Sequence, residues 1–198
     1  MGNHHRSPAV EKLLRQSLIT AQTAKGCGVS TSLLHHYVKA GVLRRVGRGL
    51  YVNPQNAPEI DFEWEELVYA VLSVPAGVVC YTTALILHGL SDEVARQYWI
   101  AIPHGTAVAK RPRTRIVRIR NHELGVTQMK IGEIEIPIYD LERTLVETFR
   151  ATSPEVALRA LKQAFASGRK VKPNINRMRE YARKLRIPID PYLFVVTT

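Results

Sequence analysis

Cysteine is nearly absent: Cys27 and Cys80 are the only two, far apart and without CxxC spacing, which excludes a disulfide framework and a zinc cage. A reducing cytoplasm suits such a chain. The sequence has no P-loop, no GxSxG and no HExxH, so the commonest phosphate-cradling, serine-nucleophile and zinc-protease signatures are missing. Its opening, MGNHHRSPAVEK, has no apolar stretch of signal-peptide length, and His4-His5 is too short a run for a metal site. Neither a low-complexity tract nor an internal repeat is visible. No metal or cofactor is implied.

Acidic residues are also in short supply. Against 28 Lys and Arg stand 17 Asp and Glu in 198 residues, giving a net charge of +11 and a pI near 10.0. An anionic partner follows from that balance, nucleic acid first, although excess lysine also serves solubility, so the distribution of charge has to decide. One run, Leu67 to Ser91, lacks charge and is long enough to span a bilayer. Pro75 and Gly77 break it, Ser73, Thr82, Thr83 and His88 interrupt it, and Trp64, Leu67, Val68, Val71 and Leu72 form a helical stripe that begins in charged sequence. The run therefore reads as two buried elements joined by a turn, not as a membrane span.

Charge divides the chain. Residues 1–57 hold eight basic side chains and a single acid, Glu11, for a net +7. The tract NPQNAPEIDFEWEE follows, with two prolines and then five acids from Glu59 to Glu66, and reads as a linker entering a new helix. The sequence thus predicts two domains, 1–57 and 58–198.

In the first, Ser7-Pro8 caps a helix with an apolar side at Val10, Leu13 and Leu14. Thr20 caps a short second helix through Lys25, GCGV turns the chain, and Ser30 caps a third helix to Ala40 with Gly41 as its stop. VLRRVGRGLYVN then supplies two short β-prone runs around a Gly-Arg-Gly turn. Three helices and a hairpin make a winged helix-turn-helix. On the third helix Leu33, Leu34 and Tyr37 face inward, leaving Ser30, Thr31, Ser32, His35, His36 and Lys39 for base edges and phosphates of double-stranded DNA. Arg44, Arg45 and Arg48 lie on the wing, where arginine suits the phosphate backbone or a narrow minor groove. A hydrated polar face and a charged edge pair are the plain alternatives.

The second part mixes strands at 98–103 and 115–121 and a pair of strands, TQMKIG and EIEIPIY, within 127–139 with helices capped by Asp140, Ser153 and Asn174. Ile134, Ile136 and Ile138 alternate with Glu133, Glu135 and Pro137, so one strand face is buried. The fold class is α+β: a winged helix-turn-helix followed by a mixed α/β domain.

The stretch ITAQTAKGCGVSTSLLHHYVKAGVLRRVGRGLYV resembles the N-terminal winged-helix domain of the AbiEi-like family, antitoxins and transcriptional regulators of type IV toxin-antitoxin, or abortive infection, systems. VVCYTTALILHGLSD, YWIAIPHG and IPIYDLERTLVETFR resemble that family's C-terminal antitoxin domain, the last being the most telling, and the likeness runs from Ile19 to about Arg150. The resemblance implies a repressor of its own operon whose C-terminal domain opposes a nucleotidyltransferase-like toxin. A stand-alone winged-helix transcription factor with a ligand- or partner-sensing C-terminal domain is the alternative. Pairing of two copies on a pseudo-palindromic site is compatible with either.

Two basic clusters in the C-terminal part are candidates for contact with a partner or with nucleic acid. One comprises Lys110, Arg111, Arg113, Arg115, Arg118 and Arg120; the other runs from Arg169 to Arg186 and includes Lys170, Lys172 and Arg177. Solvated faces explain them equally well. A metal-dependent nuclease would need paired carboxylates on a strand with a lysine two residues beyond. Asp140, Glu142 and Glu147, with Glu133 and Glu135 upstream, are the acids on offer, but Glu133 and Glu135 are followed at that spacing by Glu135 and Pro137, Asp140 reads better as a helix cap and Glu142 as a first-turn residue, so no catalytic residue is assigned.

Overall fold

Side-chain caps set where the helices begin. The structure, a computed structural model, describes residues 8–169 and 171–197; Ser7 and Lys170, both invoked above, lie outside the described residues. Helix α1 spans Pro8–Leu14, α2 Ala21–Gly26 and α3 Thr31–Lys39. At α2 the Thr23 amide donates to the Thr20 hydroxyl while the Thr23 hydroxyl bonds back to the Thr20 backbone, a reciprocal capping box that satisfies groups the first turn leaves open. At α3 the Leu33 amide donates to Ser30 Oγ at 3.2 Å, and Gly41 follows the helix end in the left-handed region (φ +71°) that glycine adopts without strain.

Strands β2 (Arg44–Gly47) and β3 (Leu50–Val52) form the expected hairpin, with an irregularity between Arg45 and Gly47. A third strand was not foreseen. β1 (Leu18–Thr20) pairs antiparallel with β3, putting Leu18 opposite Val52, so the order is β1-β3-β2 and β3 is central and wholly buried. Three residues are too few for a period to show. Val10, Leu13, Ile19, Ala24, Leu34, Leu43 and Tyr51 form the core beneath.

The chain divides into two compact units, Met1–Val74 with Lys130–Glu135, and Pro75–Met129 with Ile136–Thr198. The first extends past residue 57, where sequence put the boundary. Asn53 donates to the Leu14 carbonyl at 2.8 Å and Asn56 to the Arg15 carbonyl at 2.6 Å, so the NPQN tract is fastened to the end of α1. Helix α4 (Glu65–Leu72) then buries Leu67, Val68, Tyr69 and Val71 and belongs to this unit too.

The 130–135 segment is held to the tract by backbone approach. Glu133 donates its amide to the Glu59 carbonyl at 2.8 Å, and the Glu59 amide donates to the Glu133 carboxylate at 3.0 Å. Gly132 lies so close that a Cβ there would sit 2.1 Å from the Glu59 oxygen.

The second unit carries a mixed sheet of order β6-β5-β4-β8-β7. Its strands are β4 (Val78–Val79), β5 (Tyr98–Pro103), β6 (Thr114–Ile119), β7 (Val126–Ile131) and β8 (Ile134–Tyr139). β5 runs parallel to β6 and β4 parallel to β8, while β4 and β5 are antiparallel. Helices α5 (Tyr81–Leu87), α6 (Leu141–Ala151), α7 (Pro154–Phe165), α8 (Ile175–Leu185) and α9 (Asp190–Thr197) share an apolar core of Leu85, Leu145, Leu161, Met178, Leu185 and Leu193. The uncharged run 67–91 resolves into α4, β4 and α5. Among the described residues no helix is long and apolar enough to cross a membrane.

Candidate nucleic-acid interface

Helix α3 has one face to spare. At about 100° per residue, Thr31, Ser32, His35, His36 and Lys39 fall within an arc of about 140°. All five are exposed, whereas Leu34 is buried and Leu33, Tyr37 and Val38 are half-buried on the opposite side. Ser30 is exposed as well, but its hydroxyl oxygen serves as the helix cap. The His36 ring lies 5.9 Å from that of Tyr37 in a tilted arrangement, which orients it beside the half-buried tyrosine. The arc thus presents two imidazoles, two hydroxyls and an ammonium, chemistry suited to base edges and phosphates.

The wing arginines are not equivalent. Arg44 reaches Glu65 of α4 at 3.2 Å, and Arg45 donates through Nε to the Gly47 carbonyl at 3.2 Å. Arg48 is exposed at the hairpin tip and has no partner among the described residues. The flanking glycines have internal reasons. Gly49 takes the left-handed conformation that the turn demands, and its carbonyl accepts from the Ala21 amide at 2.7 Å. A Cβ on Gly47 would come 3.1 Å from the Ser73 Cβ. The tip is therefore drawn in against α2 and the end of α4, and Arg48 projects from a short, braced wing.

The C-terminal cationic clusters separate under the same inspection. Arg111 donates to the Ala109 carbonyl and Arg113 to the Ala95 carbonyl; Arg113 lies over the Tyr98 ring and Arg115 stacks on Trp99 at 4.1 Å. Lys110 is exposed, as are Arg118 and Arg120. In the second cluster Lys172 is exposed, whereas Arg177 ties down Asp140 at 2.7 Å and Tyr181 at 2.8 Å. Arg169 donates to the His88 and Gly89 carbonyls. Periodicity in sequence does not distinguish these structural arginines from the unoccupied ones.

The DLERTLVETF segment turns out to be the polar keystone of the second unit. Asp140 caps α6 by accepting the Arg143 amide at 2.8 Å, and its other oxygen takes Arg177 and Tyr181. Arg143 is fully buried, lies 3.7 Å over the Tyr139 ring, donates to the Asn121 and Leu124 carbonyls, and pairs with buried Glu147 at 3.2 Å. Glu142 accepts the Asn174 amide at 2.9 Å. Burial pushes the Tyr139 phenol far up, and the hydroxyl donates to the His122 carbonyl. Asp140, Glu142 and one oxygen of Glu147 are thus engaged by donors, and among the described residues no cluster of three or more His, Cys, Asp or Glu stands ready to hold an ion.

Residues 9–54 match the family model described as transcriptional regulator, AbiEi antitoxin. The matched segment covers α1 to the end of β3, the part that carries both the exposed α3 arc and the wing. No curated protein matches the chain.

Proposed function

We propose that this chain, whose residues 9–54 carry an AbiEi-type transcriptional-regulator domain, is a DNA-binding antitoxin that represses its own operon. Helix α3 enters the major groove of the promoter and Arg48 meets the flanking backbone. The observation that carries this reading is the exposed arc Thr31, Ser32, His35, His36 and Lys39, beside a wing whose tip arginine has no partner among the described residues. A net charge of +7 within residues 1–57 supports it, because phosphate neutralisation releases counterions and supplies most of the affinity for any sequence. The C-terminal unit opposes a nucleotidyltransferase-like toxin encoded alongside.

A mobility-shift titration on the protein's own promoter tests the DNA reading. With about five phosphates neutralised, log affinity falls with log salt at a slope of about −4 to −5. A flat response overturns it. Co-expression with the neighbouring reading frame tests the antitoxin reading. Growth rescue by a full-length Lys39→Ala/Arg48→Ala variant that no longer shifts the promoter separates direct neutralisation from repression; failure of even the unmodified chain to rescue leaves a regulator without a toxin.

A further inference from the structure

The second unit holds a cleft of about 630 Å³ whose charge nothing above accounts for. Arg118 and Arg120 line it from the end of β6, Arg150 from α6, and Lys184 and Arg186 from the end of α8. Arg150 donates to the Leu185 carbonyl and Lys184 pairs with Glu180. Arg118, Arg120 and Arg186 have no partner among the described residues. Converging cations without counter-charges repel one another and raise a strong positive potential, which an anion relieves.

The one acid in the lining is Glu147, 1% exposed, whose Oε1 takes Arg143. Its Oε2 is buried and has no hydrogen-bond partner among the described residues. An unpaired buried carboxylate oxygen is costly, and the Nε of Arg143, on the side chain that pairs with Glu147, is likewise buried without a partner among the described residues. Tyr81 also lines the cleft; burial pushes its phenol up to about 12, so it keeps its proton and can donate. Tyr81 and Arg186 have positive φ, at 49° and 56°, a conformation that side chains other than glycine adopt only at some cost.

We propose that this cleft binds a nucleotide, its phosphates on Arg118, Arg120 and Arg186 and a sugar hydroxyl or base amino group donating to Glu147 Oε2. Inorganic phosphate would satisfy the arginines alone and leave the carboxylate unanswered; a phosphate ester that also carries a donor satisfies both. The cleft's volume lies within the range of small-molecule sites, which is roughly 300–1,000 Å³. The proposal is independent of promoter binding, which rests on α3 and Arg48.

The test is titration calorimetry of the full chain at low ionic strength with ATP, tripolyphosphate and adenosine as probes. ATP is expected to bind at least about tenfold more tightly than tripolyphosphate, and the exposed double variant Arg118→Gln/Arg186→Gln to weaken ATP by at least about tenfold with an unchanged thermal melt. Glu147→Gln, if it folds, should reduce the preference for ATP over tripolyphosphate. No ATP binding, equal binding of ATP and tripolyphosphate, or full ATP affinity in the double variant overturns the proposal. So does a single-stranded oligonucleotide that loses affinity in the double variant while ATP never binds, which would make the cleft a nucleic-acid groove.

Discussion

Arg143 and Glu147 stand one turn apart on α6, 3.2 Å from each other, with side chains 0% and 1% exposed. A buried pair of this kind gains little over an apolar replacement, yet breaking it from one side strands a charge. Arg143→Met should therefore cost about 3–5 kcal/mol in a urea melt, while Arg143→Met/Glu147→Leu should recover a substantial part of that loss. An additive double variant would mean that the two side chains contribute separately, Arg143 chiefly through the Asn121 and Leu124 carbonyls.

The wing arginines should separate in a promoter-binding assay. Arg48 has no partner among the described residues and Arg44 is held by Glu65, so Arg48→Ala should weaken binding across all sequences and lower the salt slope by about 1, with a smaller effect from Arg44→Ala. His36→Ala should lose affinity mainly for the specific site, by about 1–3 kcal/mol if the ring reads a base edge. Equal losses on random and promoter DNA would remove His36 from the reading surface.

Gly132→Ala should destabilise the first unit. Its φ of +58° already penalises a side chain by about 1–2 kcal/mol. The added methyl would also lie 2.1 Å from the Glu59 carbonyl oxygen, a backbone atom with little room to give. The backbone bond from Glu133 to Glu59 should open with it, read as faster amide exchange at Glu133. A variant with unchanged exchange there would show that the segment shifts as a body.

Much of this fold could be read from short-range signals. Ser30 and Gly41 bracket α3, apolar residues at helical spacing fix its inward face, and the alternation Ile134, Ile136, Ile138 marks β8. What could not be read depends on distance along the chain. β1 exists because β3, over 30 residues later, offers it a partner, and β4 is two residues inside an apolar run. The extent of the first unit is set by Asn53 and Asn56 reaching carbonyls 39 and 41 residues back. The charged cleft escaped for the same reason: its arginines come from three elements. The α3 arc, by contrast, is local, and its five exposed side chains were legible from spacing alone.

His88 gives the second unit a pH dependence whose sign follows from its surroundings. Its Nε2–H donates to the Tyr139 carbonyl at 2.9 Å at the end of α5. Desolvation holds its pKa below the ordinary value of 6.5, against the opposing pull of the Tyr139 carbonyl, Asp140 and Glu142, and Arg169 adds to the depression. The unfolded chain therefore binds the proton more readily than the folded one, so stability is full above about pH 6.5 and falls as the pH drops from there toward the folded value. Below the folded value both states are protonated and the penalty levels off. Thermal melts between about pH 7.5 and 5.5 should show a decline in Tm that is shallower in His88→Gln, which keeps an N–H donor for Tyr139 and cannot titrate. An identical slope in the variant would assign the decline to other groups.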